Sequence, residues 1–170
     1  MSKEKTENKR HFRKEMLIPI VVILFFVIMF AVTCTGPKEV ATAEQVWSAI
    51  EQAGYQPVDA TELYREDMPS LVQCIAFEKD DEYFNFYIFK EKQNAMDLYG
   101  HIASHINTHF YSLPYSKHTS AQSNYCIYTL TASGRYSVDI YVGNTAVYAY
   151  CDEGNDQGIA DVLYTIGYFD

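Results

Sequence analysis

Residues 16–33, MLIPIVVILFFVIMFAVT, carry no charged side chain, and the basic residues Lys9, Arg10, Arg13 and Lys14 precede them. A bilayer core of roughly 30 Å asks for about 20 apolar residues in a helix, so this run is just long enough to cross it. Pro19 falls in the first turn, where its missing N–H would have no intrahelical partner in any case. Basic residues stay on the cytoplasmic side. The expectation is a cytoplasmic tail over 1–15, a signal-anchor transmembrane helix over 16–33, a linker over 34–41 and an extracellular domain over 42–170. The protein would then sit in the cell membrane as a single-pass chain.

A lipoprotein signal competes with this reading. Ala31-Val32-Thr33-Cys34 places a cysteine where a lipobox would, which makes Cys34 the lipidation candidate. Such boxes usually have Gly or Ala before the cysteine, and Thr33 fits poorly. The anchor is favoured because a secretory apolar region usually spans only about 7–15 residues.

Charge divides at the membrane. Before residue 16 there are six basic side chains against three acidic, and after it seven against 19, so +3 faces −12. An outer domain this acidic is repelled by phosphate backbones and by anionic head groups, which excludes nucleic acid as a partner. The four cysteines, Cys34, Cys74, Cys126 and Cys151, form no C-x-x-C pair, so no zinc ribbon or thioredoxin-like motif is present.

Thr42 with Gln45 makes a capping-box pattern for a first helix, with Val46, Trp47, Ile50 and Ala53 as its apolar stripe and Gly54 as its stop. Residues 71–78 and 83–89 read as a hairpin about Asp80-Asp81. Glu91 to about His109 reads as a long helix with Ala95, Leu98, Tyr99, Ile102, Ile106 and Phe110 at helical spacing. Residues 111–124 read as a polar loop. Strands at 125–131, 136–142 and 145–151 follow, joined by Ser133-Gly134 and Gly143-Asn144. A last helix presents Ile159, Val162, Leu163 and Ile166. The expected fold class is α+β: a two-layer domain with an antiparallel sheet of about five strands and three helices on one face.

FYIFKEKQNAMDLY, then NTAVYAY and a closing helix ending TIGY, resemble small uncharacterised extracytoplasmic domains in membrane-anchored proteins and lipoproteins of Gram-positive bacteria. The resemblance spans most of 42–170. It implies an address and a fold, and brings no catalytic residues.

His101, His105 and His109 recur every four residues, so His101 and His105 share a helix face and are the candidate metal ligands. All three cannot grip one ion, since i to i+8 spans about 12 Å. The absence of H-E-x-x-H excludes that metalloprotease pattern, and no P-loop, G-x-G-x-x-G or G-x-S-x-G occurs. No enzyme activity and no cofactor are therefore expected.

Strand parity places Tyr128, Asp139, Tyr141, Tyr148 and Tyr150 on one face of the sheet with Cys126, Tyr83 and Tyr87. With every helix on the other side, that face should be open. Tyr128, Asp139, Tyr148 and Tyr150 are then the candidate partner-binding residues, facing a cell-envelope protein or polysaccharide. Cys151 should be a buried hydrophobe, and Cys74 and Cys126 could join if their strands were neighbours.

Overall fold

The computed structural model describes residues 36–110 and 115–170. The expected membrane-spanning run and Cys34 lie outside the described residues. Among those described, no helix is long and apolar enough to cross a membrane. Pro37–Asp170 forms a compact unit of its own.

The elements in chain order are α1 (Ala43–Gln52), β1 (Val58–Asp59), α2 (Thr61–Tyr64), β2 (Leu71–Lys79), β3 (Glu82–Phe89), α3 (Lys92–Phe110), β4 (Tyr115–Gln122), β5 (Tyr125–Ala132), β6 (Arg135–Val142), β7 (Thr145–Asp152) and α4 (Gln157–Thr165). The domain is α+β, as expected. Among the described residues, seven strands form one antiparallel sheet in the order β1-β2-β3-β7-β6-β5-β4, where about five were expected.

Local chemistry explains the element ends. Thr42 accepts from the Gln45 N–H while the Gln45 side chain accepts from the Thr42 N–H, closing the capping box of α1. Ser133 and Gly134 both take the left-handed backbone, at φ of 53° and 75°, as a two-residue hairpin turn requires. Asp80 does likewise at φ 56°, and Lys79 pairs with Glu82 across that turn.

On the first sheet face, α1 and α4 pack Val46, Ile50, Ile159, Val162 and Leu163 onto a floor including Ile75, Phe77, Phe86, Val138, Ile140 and Val147. Burying each such side chain contributes about 1.5–3 kcal/mol. Cys151 is 1% exposed in this core, as its parity implied. Tyr168, past the left-handed Gly167, closes it by bonding through its hydroxyl to the Ala41 N–H and to Thr145.

The second face corrects the two-layer expectation. α3 lies across it, setting Ala95 and Leu98 in the cluster of Tyr87, Ala146, Tyr141 and Tyr148, and Ile102 and Ile106 against Tyr128, Leu130 and Ala132. Tyr64 of α2 packs on the same face. The sheet is thus covered on both sides, and the order of layers is helix, sheet, helix. The stripe of α3 was legible, but a stripe does not say which sheet face it seeks. Tyrosines with an apolar body and a polar tip satisfy a buried face as readily as a wet one.

Candidate functional site

The register of the central strands assembles the site. Tyr83 on β3 sits opposite Tyr150 on β7, and Asn85 opposite Tyr148. On β6, Ser137 faces Tyr150 and Asp139 faces Tyr148, with Tyr128 of β5 on the other side of Asp139. These residues share the face that carries α3, and the helix divides them into a sealed part and a half-open part.

Tyr83, Tyr148 and Tyr150 make up the half-open part. The Tyr83 and Tyr150 rings stack at 4.8 Å between centroids, and Tyr148 meets Tyr83 edge-on at 6.0 Å. Arg135, exposed, sets its guanidinium over the Tyr150 ring at 4.6 Å. Arginine on an aromatic face contributes about 0.5–1 kcal/mol at an exposed site, and more once a partner removes water.

A hydroxyl network holds this patch from beneath. The Asn85 amide nitrogen lies 2.7 Å from the Tyr64 hydroxyl, 2.6 Å from that of Tyr83 and 2.7 Å from that of Tyr87. An amide nitrogen has two hydrogens, so it serves at most two of the three hydroxyls at once. Tyr64 and Tyr83 also bond to each other at 2.9 Å. Burial, then the bond to Tyr64, raises the Tyr83 phenol well above its ordinary value, so it stays neutral and able to donate. Asn85 is 1% exposed, and its position opposite Tyr148 ties the network to the patch.

Asp139 belongs to the sealed part. It is 0% exposed, and neither carboxyl oxygen reaches a hydrogen-bond partner at good geometry; nor does the buried Tyr128 hydroxyl beside it. Burial pushes its pKa up to about 9, and the backbone of Ala103 in α3 offsets only part of that. At neutral pH Asp139 is therefore a carboxylic acid, not a carboxylate.

The structure accordingly separates the four residues expected on an open face. Tyr148 and Tyr150 remain half-exposed, whereas Tyr128, at 3%, and Asp139 lie under α3. That is a correction, and its cause is the helix. Arg135, Tyr83 and Asn85 replace them around the accessible rings. Arg135 was legible through its parity with Asp139 four residues on, but nothing marked it without knowing which part of the face α3 would cover.

His101 and His105 are both exposed on α3. No group of three or more His, Cys, Asp or Glu side chains is placed to hold a metal ion among the described residues. Cys74 and Cys126 are not neighbours, because β3, β7 and β6 separate their strands. Cys74, Cys126 and Cys151 are free thiols, with the Cys126 sulfur 3.0 Å from the Tyr99 hydroxyl.

No family model matches the sequence, and no curated protein matches it. Among solved structures the chain is similar to a GTP-binding regulator from Thermotoga maritima, at 10% identity and a TM-score of 0.45, over 79% of this chain and 93% of that one. It is also similar to the extracellular domain of PknH from Mycobacterium tuberculosis, at 9% identity and a TM-score of 0.37, over 76% of this chain and 93% of that one. Both likenesses are too distant to carry an argument about function.

Proposed function

We propose that the chain is a membrane-tethered domain displayed outside the cytoplasm, and that it works by binding an envelope protein rather than by catalysis. The half-open patch of Tyr83, Tyr148 and Tyr150 capped by Arg135 carries the reading. Tyrosine and arginine dominate the energetics of protein contacts, because each brings a large stiff surface with a polar tip. The underlying hydroxyl network fixes the rings before contact, which lowers the ordering cost of association. The basic flank and apolar run over 9–33 support the tether, and the acidity of the remaining chain supports a partner other than an anionic lipid surface. The most perturbed acid, Asp139, is closed off from any substrate, which favours binding over chemistry.

Two measurements test this. Cross-linked pull-down from intact envelopes should recover a partner with the wild-type chain and lose it with Tyr150→Ser combined with Arg135→Ala, while the variant still unfolds cooperatively. Recovery of the same partners by that folded variant overturns the patch. The intact mass of the membrane-extracted protein tests the tether: a species beginning at Cys34 with a diacylglycerol mass replaces the transmembrane helix by a lipid anchor.

A further inference from the structure

On the sheet face opposite the tyrosine patch, a groove of about 300 Å³ opens between the end of α4 and strands β4, β5 and β6. That volume is at the lower end of the roughly 300–1,000 Å³ of small-ligand pockets. Tyr136, Tyr164 and Phe169 give it aromatic walls, and Tyr164 and Phe169 brace each other edge to face at 5.6 Å. Tyr164 is 53% exposed among the described residues, so part of its ring faces the groove's opening. Between the rings stand His118, Ser120 and Thr129, on neighbouring strands and all turned to this face by strand parity.

Charge decides what such a groove accepts. Among the described residues, the one acidic side chain lining it is Asp170, whose Oδ1 receives the Lys38 ammonium at 2.8 Å. Lys38 is itself held against the Gly167 carbonyl at 3.3 Å, so the pair is fixed and its charges cancel. Burial, then the field of Asp156, raises the Tyr136 phenol, which therefore stays neutral. Among the described lining side chains an anionic ligand finds no lysine or arginine, and a cationic ligand finds no spare carboxylate. What the groove offers is flat aromatic surface beside hydroxyl and imidazole groups that donate and accept.

We infer that this groove is a saccharide subsite, taking a neutral sugar ring whose C–H face lies on Tyr164 or Tyr136 while its hydroxyls exchange hydrogen bonds with His118, Ser120 and Thr129. A sugar has this same division between an apolar face and a polar rim. The site lies on the other side of the sheet from the tyrosine patch and does not depend on it.

The test titrates the full chain in detergent micelles with tetra-N-acetylchitotetraose, read by ligand-observed NMR. Tyr164 is half in solvent on a helix, so Tyr164→Ala should keep the fold; Thr129→Val gives a second variant of conserved volume. Saccharide binding that weakens about tenfold in Tyr164→Ala, and is unchanged in Tyr150→Ser on the opposite face, supports the subsite. Absence of binding to this probe and to maltotetraose overturns it. So does binding that survives both groove variants, or a stronger response to the deacetylated, cationic tetramer than to the neutral one. Failure here leaves the envelope pull-down unaffected, and failure of the pull-down leaves this titration unaffected.

Discussion

Asp139→Asn is expected to stabilise the protein at neutral pH, by an amount that grows as pH rises. The folded protein keeps the Asp139 proton up to about pH 9, whereas the unfolded chain releases it near the ordinary value of 3.8. Between those limits the folded state binds one more proton than the unfolded one, so stability falls with rising pH. The contribution is fully present below the unfolded value and is lost as pH climbs to the folded one. Each pH unit corresponds to about 1.36 kcal/mol, so keeping Asp139 protonated at pH 7 costs about 4 kcal/mol. The asparagine variant has nearly the same shape and no proton to hold. Its amide leaves buried polar atoms unmet, as the acid does, which shifts its stability by about 1–3 kcal/mol at every pH alike.

The pH slope of the difference is therefore the informative quantity. Urea unfolding of both proteins from about pH 5 to about pH 8 should show the variant gaining about 1.4 kcal/mol on the wild type per pH unit, roughly 4 kcal/mol across the range. Every other titrating group is common to both proteins and cancels. Parallel stability curves would refute the reasoning, because they would mean that Asp139 ionises inside the fold or that α3 does not seal it.

Removing the capping box with Thr42→Ala should cost about 1 kcal/mol by denaturant titration, since it frees the Gln45 N–H at the start of α1. Under native conditions an alkylating reagent should modify Cys126 before Cys74 or Cys151, whose thiols burial pushes up to about 12; peptide mapping that found Cys74 joined to Cys126 would contradict the strand order. Tyr168→Phe should cost about 1–3 kcal/mol in the same denaturant assay, because the phenol is the buried partner of both Thr145 and the Ala41 N–H.

Much of the sheet was legible in the sequence. Period-two alternation and the pairs Asp80-Asp81, Ser133-Gly134 and Gly143-Asn144 place Ile127, Val138, Ile140 and Val147 in the core, and the observed register agrees. β4 was not legible. YSKHTSAQ has no apolar alternation because it is an edge strand that β5 alone pairs with, and it is exposed over most of its length. A strand that buries neither face leaves no hydrophobic period behind. β1 left only a weak signal for a similar reason, being two exposed residues paired to Ala76 and Ile75. The placement of α3 is a different kind of miss. Tyr83 and Tyr87, like Tyr128, Tyr141 and Tyr148, are compatible with water and with burial, and for the first two the partners of their hydroxyls distinguish the two. Those partners, Tyr64 and Asn85 for the first two, come from elements whose proximity is a matter of tertiary arrangement.

The same arrangement links the acid to the motion of the helix above it. Ala95 and Ile106 are buried along α3, and Leu98, Tyr99 and Ile102 are partly so, which is a thinner seal than the aliphatic layer α1 and α4 make. If α3 lifts locally, Asp139 meets water and can lose its proton, so the free energy of that opening should fall with rising pH while a local opening of α1, short of global unfolding, should not. Amide hydrogen exchange along 98–106, corrected for the intrinsic pH dependence of exchange, should therefore lose up to about 1.4 kcal/mol of protection per pH unit above the ordinary carboxylate value. Those amides of α1 between Val46 and Ile50 that exchange by local opening act as the internal control, since they sit on the opposite face of the sheet. Asp139→Asn should flatten the α3 dependence and leave α1 unchanged. Equal pH dependence in the two helices, or a dependence in α3 that persists in the variant, would show that the helix does not open over this carboxyl.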